Sequence, residues 1–171
     1  MGALNVVSEE EIWKDILGFD PIIKDINGKI IEYQRGLVWS LEQKQMLIES
    51  IYNQINIGTI VLRNMGIINV FNKAEKGFDK HNAFFQVVDG KQRFLTIIDF
   101  TNNKFPDIRG YYWDDLSKEA QRKFKREQLL TIAEMDEGTT DKDVIEMFLT
   151  LNYTGVPMSK EHIEFVKSIK L

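Results

Sequence analysis

The junction at residues 84–100, FFQVVDGKQRFLTIIDF, constrains the fold more than any other stretch, because a strand pattern changes into a helix pattern at one glycine. Residues 85–89 are typical of a strand and residues 91–102 of a helix, with Gly90 between them. Glycine tolerates the unusual backbone angles that such a turn needs. The sequence therefore predicts a helix that starts directly at the end of a core strand.

The same turn is a candidate anion site. The first amide groups of a helix and the helix dipole favour negative charge, and Arg93 could add a bidentate guanidinium that matches a phosphate. Asp89 would repel a bare phosphate, but a divalent cation could bind the Asp89 carboxylate and the phosphate oxygens together. In the alternative interpretation, Asp89 caps the helix, Gly90 relieves the turn, and Gln92 and Arg93 form surface hydrogen bonds. The turn alone does not decide between the two.

The rest of the chain predicts helices and strands without a repeat, a linker or a low-complexity tract, and hence a single α/β or α+β domain over residues 1–171. Asn27-Gly28 lies between two β-branched runs and predicts a hairpin. Capping patterns predict helix starts at Ser8, Ser40, Thr139 or Thr140, and Ser159. The predicted helices are 8–19, 41–54, 91–103, 115–127, 141–152 and a last one from 159; the predicted strands lie in 21–34, 58–64, 66–71, 83–89 and 128–136, with a polar loop at 72–82.

Composition narrows the class of protein. The chain has 171 residues, no cysteine and a net charge of -4. It therefore has no thiolate metal site or cysteine nucleophile, which suits a reducing compartment. No apolar run approaches the roughly 20 residues that span a bilayer, and the acidic start is not typical of a signal peptide. We expect a cytoplasmic protein that does not enter a membrane.

The net charge gives no overall attraction for nucleic acid, but one segment is strongly basic. Residues 117–127, SKEAQRKFKRE, carry a basic cluster that alternates with acids: Lys118, Arg122, Lys123, Lys125 and Arg126. This alternation is more typical of a solvated helix face than of a track of phosphate contacts.

A second candidate segment is EYQRGLVWS, residues 32–40, which leads from the hairpin to the next helix. Tyr33, Arg35 and Trp39 offer one cation and two flat aromatic faces, a set that can hold a nucleobase by stacking and a phosphate by charge. The alternative is that both aromatic side chains anchor the loop in the core while Arg35 pairs with an acid.

A third segment, FLTLNYTGVPMSKEH, contains a predicted helix end at Asn152 and a turn at Gly155 before the cap at Ser159. Taken alone, Asn152 is typical of a helix C-cap and Gly155 of a left-handed turn residue.

In this order and spacing, the three segments resemble the N-terminal domain of GmrSD-type restriction endonucleases, within the ParB/sulfiredoxin-like superfamily. The matching motifs are Tyr33-Gln34-Arg35 with Trp39, then Asp89-Gly90-Lys91-Gln92-Arg93, then Asn152 with Gly155, Met158 and Ser159. Lys91 stands where the family often has glutamine. Three ordered motifs over nearly the whole chain are far more specific than any one of them.

The resemblance implies a compact mixed sheet flanked by helices that binds or hydrolyses a nucleoside triphosphate in proteins that restrict foreign DNA. It implies phosphate and Mg²⁺ at the turn, with Asp89 as metal ligand and Asp89, Gln92 and Arg93 as catalytic residues. Gln92 could orient the attacking water, because an amide both donates and accepts. The nucleotide-binding residues implied are Tyr33, Gln34, Arg35, Trp39, Gly90, Lys91, Arg93, Asn152 and Gly155.

Three functions stay open from the sequence. The first is a metal-dependent NTPase, the second a non-catalytic module that binds a nucleotide or DNA beside a partner, and the third a ParB-like DNA nuclease. The acidic net charge argues against the third. The HNH-type nuclease of family members is not seen in this sequence, so we expect a separate nuclease or defence-system subunit as partner. His81 and His162 are more typical of ordinary surface or capping residues than of metal ligands.

Overall fold

The computed structural model describes residues 2–5, 16–66, 84–127, 129–154 and 159–171. Most of the predicted first helix, nearly all of the strand at 66–71, the loop at 72–82 with His81, and Gly155 lie outside these ranges. The described elements confirm a mixed α/β chain. In sequence order they are β1 (Gly2–Asn5), β2 (Leu17–Gly18), β3 (Ile22–Lys24), β4 (Ile30–Glu32), α1 (Leu41–Tyr52), β5 (Thr59–Asn64), β6 (Phe85–Asp89), α2 (Lys91–Thr101), α3 (Lys118–Glu127), β7 (Leu129–Met135), α4 (Asp141–Thr154) and α5 (Lys160–Ser168).

Five strands form one mixed sheet in the order β1-β7-β5-β6-β2, and β3 with β4 forms a separate antiparallel pair. Within the sheet, β1 is antiparallel to β7 and β5 to β6, whereas β2 runs parallel to β6. Leu17 pairs with Phe85 in that parallel bridge. The prediction that Leu17 lies on a helix was therefore wrong, because pairing with a core strand overrides a weak local helix preference.

Contacts divide the chain into two compact units, each built from three separate stretches of sequence. The first unit comprises 1–15, 37–60 and 90–133, and the second comprises 16–36, 61–89 and 134–171. The single-domain interpretation of the sequence stays a prediction. Among the described residues, no helix is long and apolar enough to cross a membrane.

The first unit is built around an aromatic cluster. In it, α1 packs against α2 and α3. Phe100 of α2 and Phe124 of α3 are buried with ring centroids 5.5 Å apart, and Trp113 packs edge-on against both. Offset and edge-on pairs of this kind add to the stabilisation from burial alone. This cluster fixes the rotation of each helix about its own axis.

The second unit is built around β6. Val87 and Val88 are fully buried, and α4 packs against this strand and against α5. The predicted hairpin is confirmed as β3 and β4, which pair from Ile22 with Glu32 to Lys24 with Ile30. Its loop is longer than the two residues of Asn27-Gly28, because the Asp25 carboxylate accepts hydrogen bonds from the amide groups of Asn27 and Lys29.

Candidate phosphate-binding turn

The turn between β6 and α2 requires glycine at position 90. Gly90 has φ of 99°, in the left-handed region that side chains disfavour. A Cβ atom there would lie 2.7 Å from Ile60 Cγ1 and 3.2 Å from Ile60 Cα. The backbone of Ile60 therefore closes the space beside the turn, and the prediction that glycine relieves this turn is confirmed.

The first turn of α2 differs in charge from that of every other α-helix in the described chain. It contains no acidic residue and carries Lys91 and Arg93 instead. Acidic side chains occupy the first turn of each of the others: Glu42 in α1, Glu119 in α3, Asp141 and Asp143 in α4, and Glu161 in α5. Because the dipole makes a helix start positive, basic side chains there are repelled by the dipole and destabilise the helix. An anion bound at this end would remove that cost.

Arg93 holds the chain segment that leads into β5. Its two terminal nitrogens donate hydrogen bonds of 2.9 Å to the carbonyl of Ile57 and 2.8 Å to the carbonyl of Thr59. Gly58 lies between these residues with φ of 93°, and a Cβ atom on it would meet Arg93. Arg93 thus has a structural role in the first unit. A guanidinium has five N–H donors, so two carbonyl bonds do not exhaust its capacity.

Gln92 holds a second segment of the same unit. Its side-chain oxygen accepts a hydrogen bond of 3.2 Å from the amide of Val38. Val38 directly precedes Trp39, which is half-buried, and Ser40, the N-cap of α1. The structure therefore brings Gly90, Lys91, Gln92 and Arg93 together with the backbone next to Trp39.

The remaining motif residues lie in the second unit. Tyr33 is fully buried and packs edge-on against Phe148, with ring centroids 5.0 Å apart. Burial raises the pKa of the Tyr33 phenol above its usual value. The nearby Arg63 cation lowers that pKa, but by less than burial raises it. Tyr33 thus lies in the core, as the alternative interpretation of the sequence expects, whereas Arg35 is only half-buried.

Gln34 and His162 fix the chain around Arg35. The Gln34 side-chain nitrogen donates to the carbonyls of Val87, at 2.7 Å, and Val88, at 2.6 Å, immediately before Asp89. His162 Nε2 lies 2.9 Å from the Tyr33 carbonyl. A carbonyl only accepts, so this ring nitrogen carries the proton. His162 thus holds the chain at Tyr33, a contact that its predicted role as an ordinary surface or capping residue does not include.

Asp89 and Asn152 complete the set in the second unit. Asp89 is half-buried at the last position of β6, where it pairs with Val61. Asn152 lies inside α4, which continues to Thr154, and its side chain donates to the Phe148 carbonyl one turn earlier. The prediction that the helix ends at Asn152 was therefore two residues short. In the described parts of the chain, no group of three or more His, Cys, Asp or Glu side chains could hold a metal ion.

Comparison with known proteins identifies the family. Searches of curated proteins and of solved structures return no significant match. The family model described as the GmrSD restriction endonuclease, N-terminal domain, matches residues 19–168. This match includes all three motif segments, with Tyr33 to Trp39, Asp89 to Arg93, and Asn152 to Ser159. The chain therefore belongs to the family of GmrSD restriction endonuclease N-terminal domains.

Proposed function

We propose that this chain binds and hydrolyses a nucleoside triphosphate within a system that restricts foreign DNA. The family relates the chain to restriction and phage defence. The triphosphate is what the resemblance to that family implies, and the chemistry of the turn from Gly90 to Arg93 supports a bound phosphate. The ParB/sulfiredoxin-like assignment also belongs to this proposal.

The observation that carries the proposal is the positive charge at the start of α2. A strand ends at Asp89, a left-handed glycine follows, and a helix begins with a lysine and an arginine in its first turn. Backbone amides, dipole and side-chain charge then all favour an anion at one place. Phosphate is the commonest biological anion that such a helix start recognises.

Each residue of the turn has a proposed role. Gly90 lets the backbone approach the phosphates, and Lys91 adds a positive charge beside them. Asp89 would bind Mg²⁺, which takes one or two carboxylates and completes its coordination with phosphate oxygens and water. A single carboxylate at the turn fits such a shared site without an all-protein metal cage. Bound Mg²⁺ would neutralise charge on the phosphates, and Gln92 would orient the attacking water.

The other motif residues are proposed to complete the nucleotide site. Arg35 is proposed to bind phosphate on the family motif alone, and Gln34 fixes the backbone next to Arg35. Trp39 is half-buried and offers a ring face for a base. Tyr33, Asn152 and Gly155 are carried over from the family motifs alone.

One observation favours a second function, which is a module that binds a nucleotide without hydrolysing it. Two of the three residues proposed for catalysis make structural bonds, because Gln92 accepts from Val38 and Arg93 donates to two carbonyls. A turn stabilised in this way can keep its shape for binding after turnover has been lost.

The test compares matched lysines at helix starts. Lys91 and Lys160 are each the first residue of a helix, α2 and α5. Either Lys→Glu change should improve the charge balance of its helix, by roughly 0.3–1 kcal/mol. Only Lys91→Glu should weaken triphosphate binding, by at least tenfold in calorimetry with Mg²⁺, and reduce phosphate release.

The possible outcomes separate the two functions. Binding and phosphate release that both depend on Lys91 support the enzyme, and binding without release supports the module. Equal affinity in the Lys91→Glu and Lys160→Glu variants would exclude the turn as the phosphate site. Arg93→Ala is a poor first variant, because it would also release the segment around Gly58.

A further inference from the structure

We propose that the exposed face of α3 is a DNA-contacting surface that binds the phosphate backbone of a duplex. The surface consists of Lys118, Arg122, Lys123, Lys125 and Arg126, and we name it the α3 basic face. This inference rests on the DNA context of the proposed function. It concerns a different part of the chain from the nucleotide turn.

The rotation of α3 about its axis is fixed by its buried side. Phe124 is 1% exposed and packs edge-on against Trp113, with ring centroids 5.5 Å apart. The buried Gln121 side chain donates a 2.9 Å hydrogen bond to the Trp113 carbonyl. These contacts hold one side of the helix inward, so the opposite side faces solvent in a single orientation.

The cations form a continuous stripe on the outward side. Lys118, Arg122, Lys125 and Arg126 are all exposed and follow one another at spacings of four, three and one residues. Residues three and four apart lie on the same face of a helix. Among the side chains that the structure describes, none forms an ion pair with Arg122 or Arg126. This exposure is expected for a solvated helix face and also leaves the cations accessible to an anion.

Few carboxylates compete for the α3 basic face. Within α3 the acidic residues are Glu119 near its start and Glu127 at its end, against five cations between them and beside them. Two acids just before the helix are already engaged: Asp114 with the Asn103 side chain, and Asp115 with the amide of Tyr112. The two carboxylates that precede the helix thus bind local groups.

Clustered cations are costly unless an anion is bound. Lys118 and Arg122, and Arg122 and Arg126, are like-charged pairs four residues apart, and each such pair destabilises a helix by a few tenths of a kcal/mol. The chain as a whole has a net charge of -4, so the positive charge is concentrated locally on this helix. DNA carries one negative charge per roughly 1.7 Å of its axis, so it offers a row of anions to a row of cations.

Two exposed tyrosines precede the helix and favour nucleic acid over other polyanions. Tyr111 is 53% exposed and Tyr112 is 43% exposed, and both directly precede the buried Trp113 that contacts α3. Tyrosine hydroxyls, like arginine and lysine side chains, donate hydrogen bonds to the phosphate oxygens and sugars of a duplex.

The test measures binding of a fluorescent 20-base-pair duplex by anisotropy between 25 and 200 mM salt, without nucleotide. The variant is Arg122→Gln with Arg126→Gln, which removes two charges and retains helix-compatible side chains. The matched control is Lys142→Gln with Lys160→Gln, at exposed positions of α4 and α5. Thermal unfolding verifies that both variants fold.

We expect the Arg122/Arg126 variant to bind the duplex roughly tenfold more weakly at low salt, with a log–log salt slope smaller by about 2, since each lost phosphate contact contributes about 0.9. The control should match the parent. Equal binding and slope in variant and parent, or no salt-dependent binding by the parent, would overturn the proposal. Triphosphate calorimetry on the same Arg122/Arg126 variant should be unchanged, which separates a failure here from a failure of the nucleotide site.

Discussion

Replacing Gly90 with alanine tests how tightly the turn before α2 is built. Gly90 combines two constraints, a left-handed φ of 99° and the backbone of Ile60 beside it. Two other glycines separate these constraints. Gly28 has φ of 76° with no atom within 4 Å of an added Cβ. Gly36 also leaves that space open, and its φ is not in the left-handed region.

The expected cost of Gly90→Ala is the sum of two effects. The left-handed backbone costs an alanine about 1–2 kcal/mol. A Cβ atom at 2.7 Å from Ile60 Cγ1 and 3.2 Å from Ile60 Cα forces the strand to move, and such overpacking costs about 1–3 kcal/mol. Gly90→Ala should therefore lose about 2–5 kcal/mol, Gly28→Ala about 1–2 kcal/mol, and Gly36→Ala nothing or a gain of about 0.5 kcal/mol from reduced unfolded-state entropy.

Urea unfolding followed by circular dichroism measures all three variants. With a slope near 2 kcal/mol/M, the loss for Gly90→Ala lowers the midpoint by roughly 1–2.5 M. The order expected is Gly90→Ala least stable, then Gly28→Ala, then Gly36→Ala. If Gly90→Ala were no less stable than Gly28→Ala, the close approach of Ile60 would not constrain this turn.

Two further predictions concern α1. Ser40→Ala should cost about 1 kcal/mol in thermal unfolding, because the Ser40 hydroxyl accepts from the Gln43 amide and the Gln43 side chain accepts from the Ser40 amide. Ser50→Ala, in the interior of the same helix, should cost less. Equal losses in the two variants would argue against the cap. Burial, followed by the nearby Asp107 carboxylate, raises the pKa of Tyr52 to about 12 from 10.0, so the unfolding free energy should be intact below pH 10 and fall as pH rises toward 12. Tyr52→Phe should flatten that fall, and an unchanged pH profile would contradict the assignment.

Much of the fold could be predicted because local signals agreed with the tertiary structure. Ser40 and Gln43 form the predicted capping box, and Thr140 and Ser159 cap α4 and α5. Gly90 separates strand from helix as its position in the apolar pattern indicates. In each case the residues that carry the signal also make the contact, so the sequence contains the information.

Other features could not be predicted, because they depend on residues far apart in the chain. Arg93 bonds to carbonyls 34 and 36 residues earlier, and Gln34 bonds to carbonyls 53 and 54 residues later. A backbone carbonyl carries no mark in the sequence, so nothing indicated these partners. For the same reason, the sequence motif identified Gln92 and Arg93 as candidate site residues but did not indicate their bonds to the backbone of Val38, Ile57 and Thr59. The nucleotide and metal roles stay predictions.

The most direct test of the central claim is an NMR titration of the ¹⁵N-labelled chain with a Mg²⁺-bound triphosphate. We predict that the amide signals of Gly90, Lys91, Gln92 and Arg93 shift together and saturate at one affinity, since these groups form the helix start. The amides at the start of α5, after Ser159, serve as the internal comparison. Saturable shifts confined to other residues, or no shift at all with each common triphosphate, would contradict the assignment of this turn as the phosphate site.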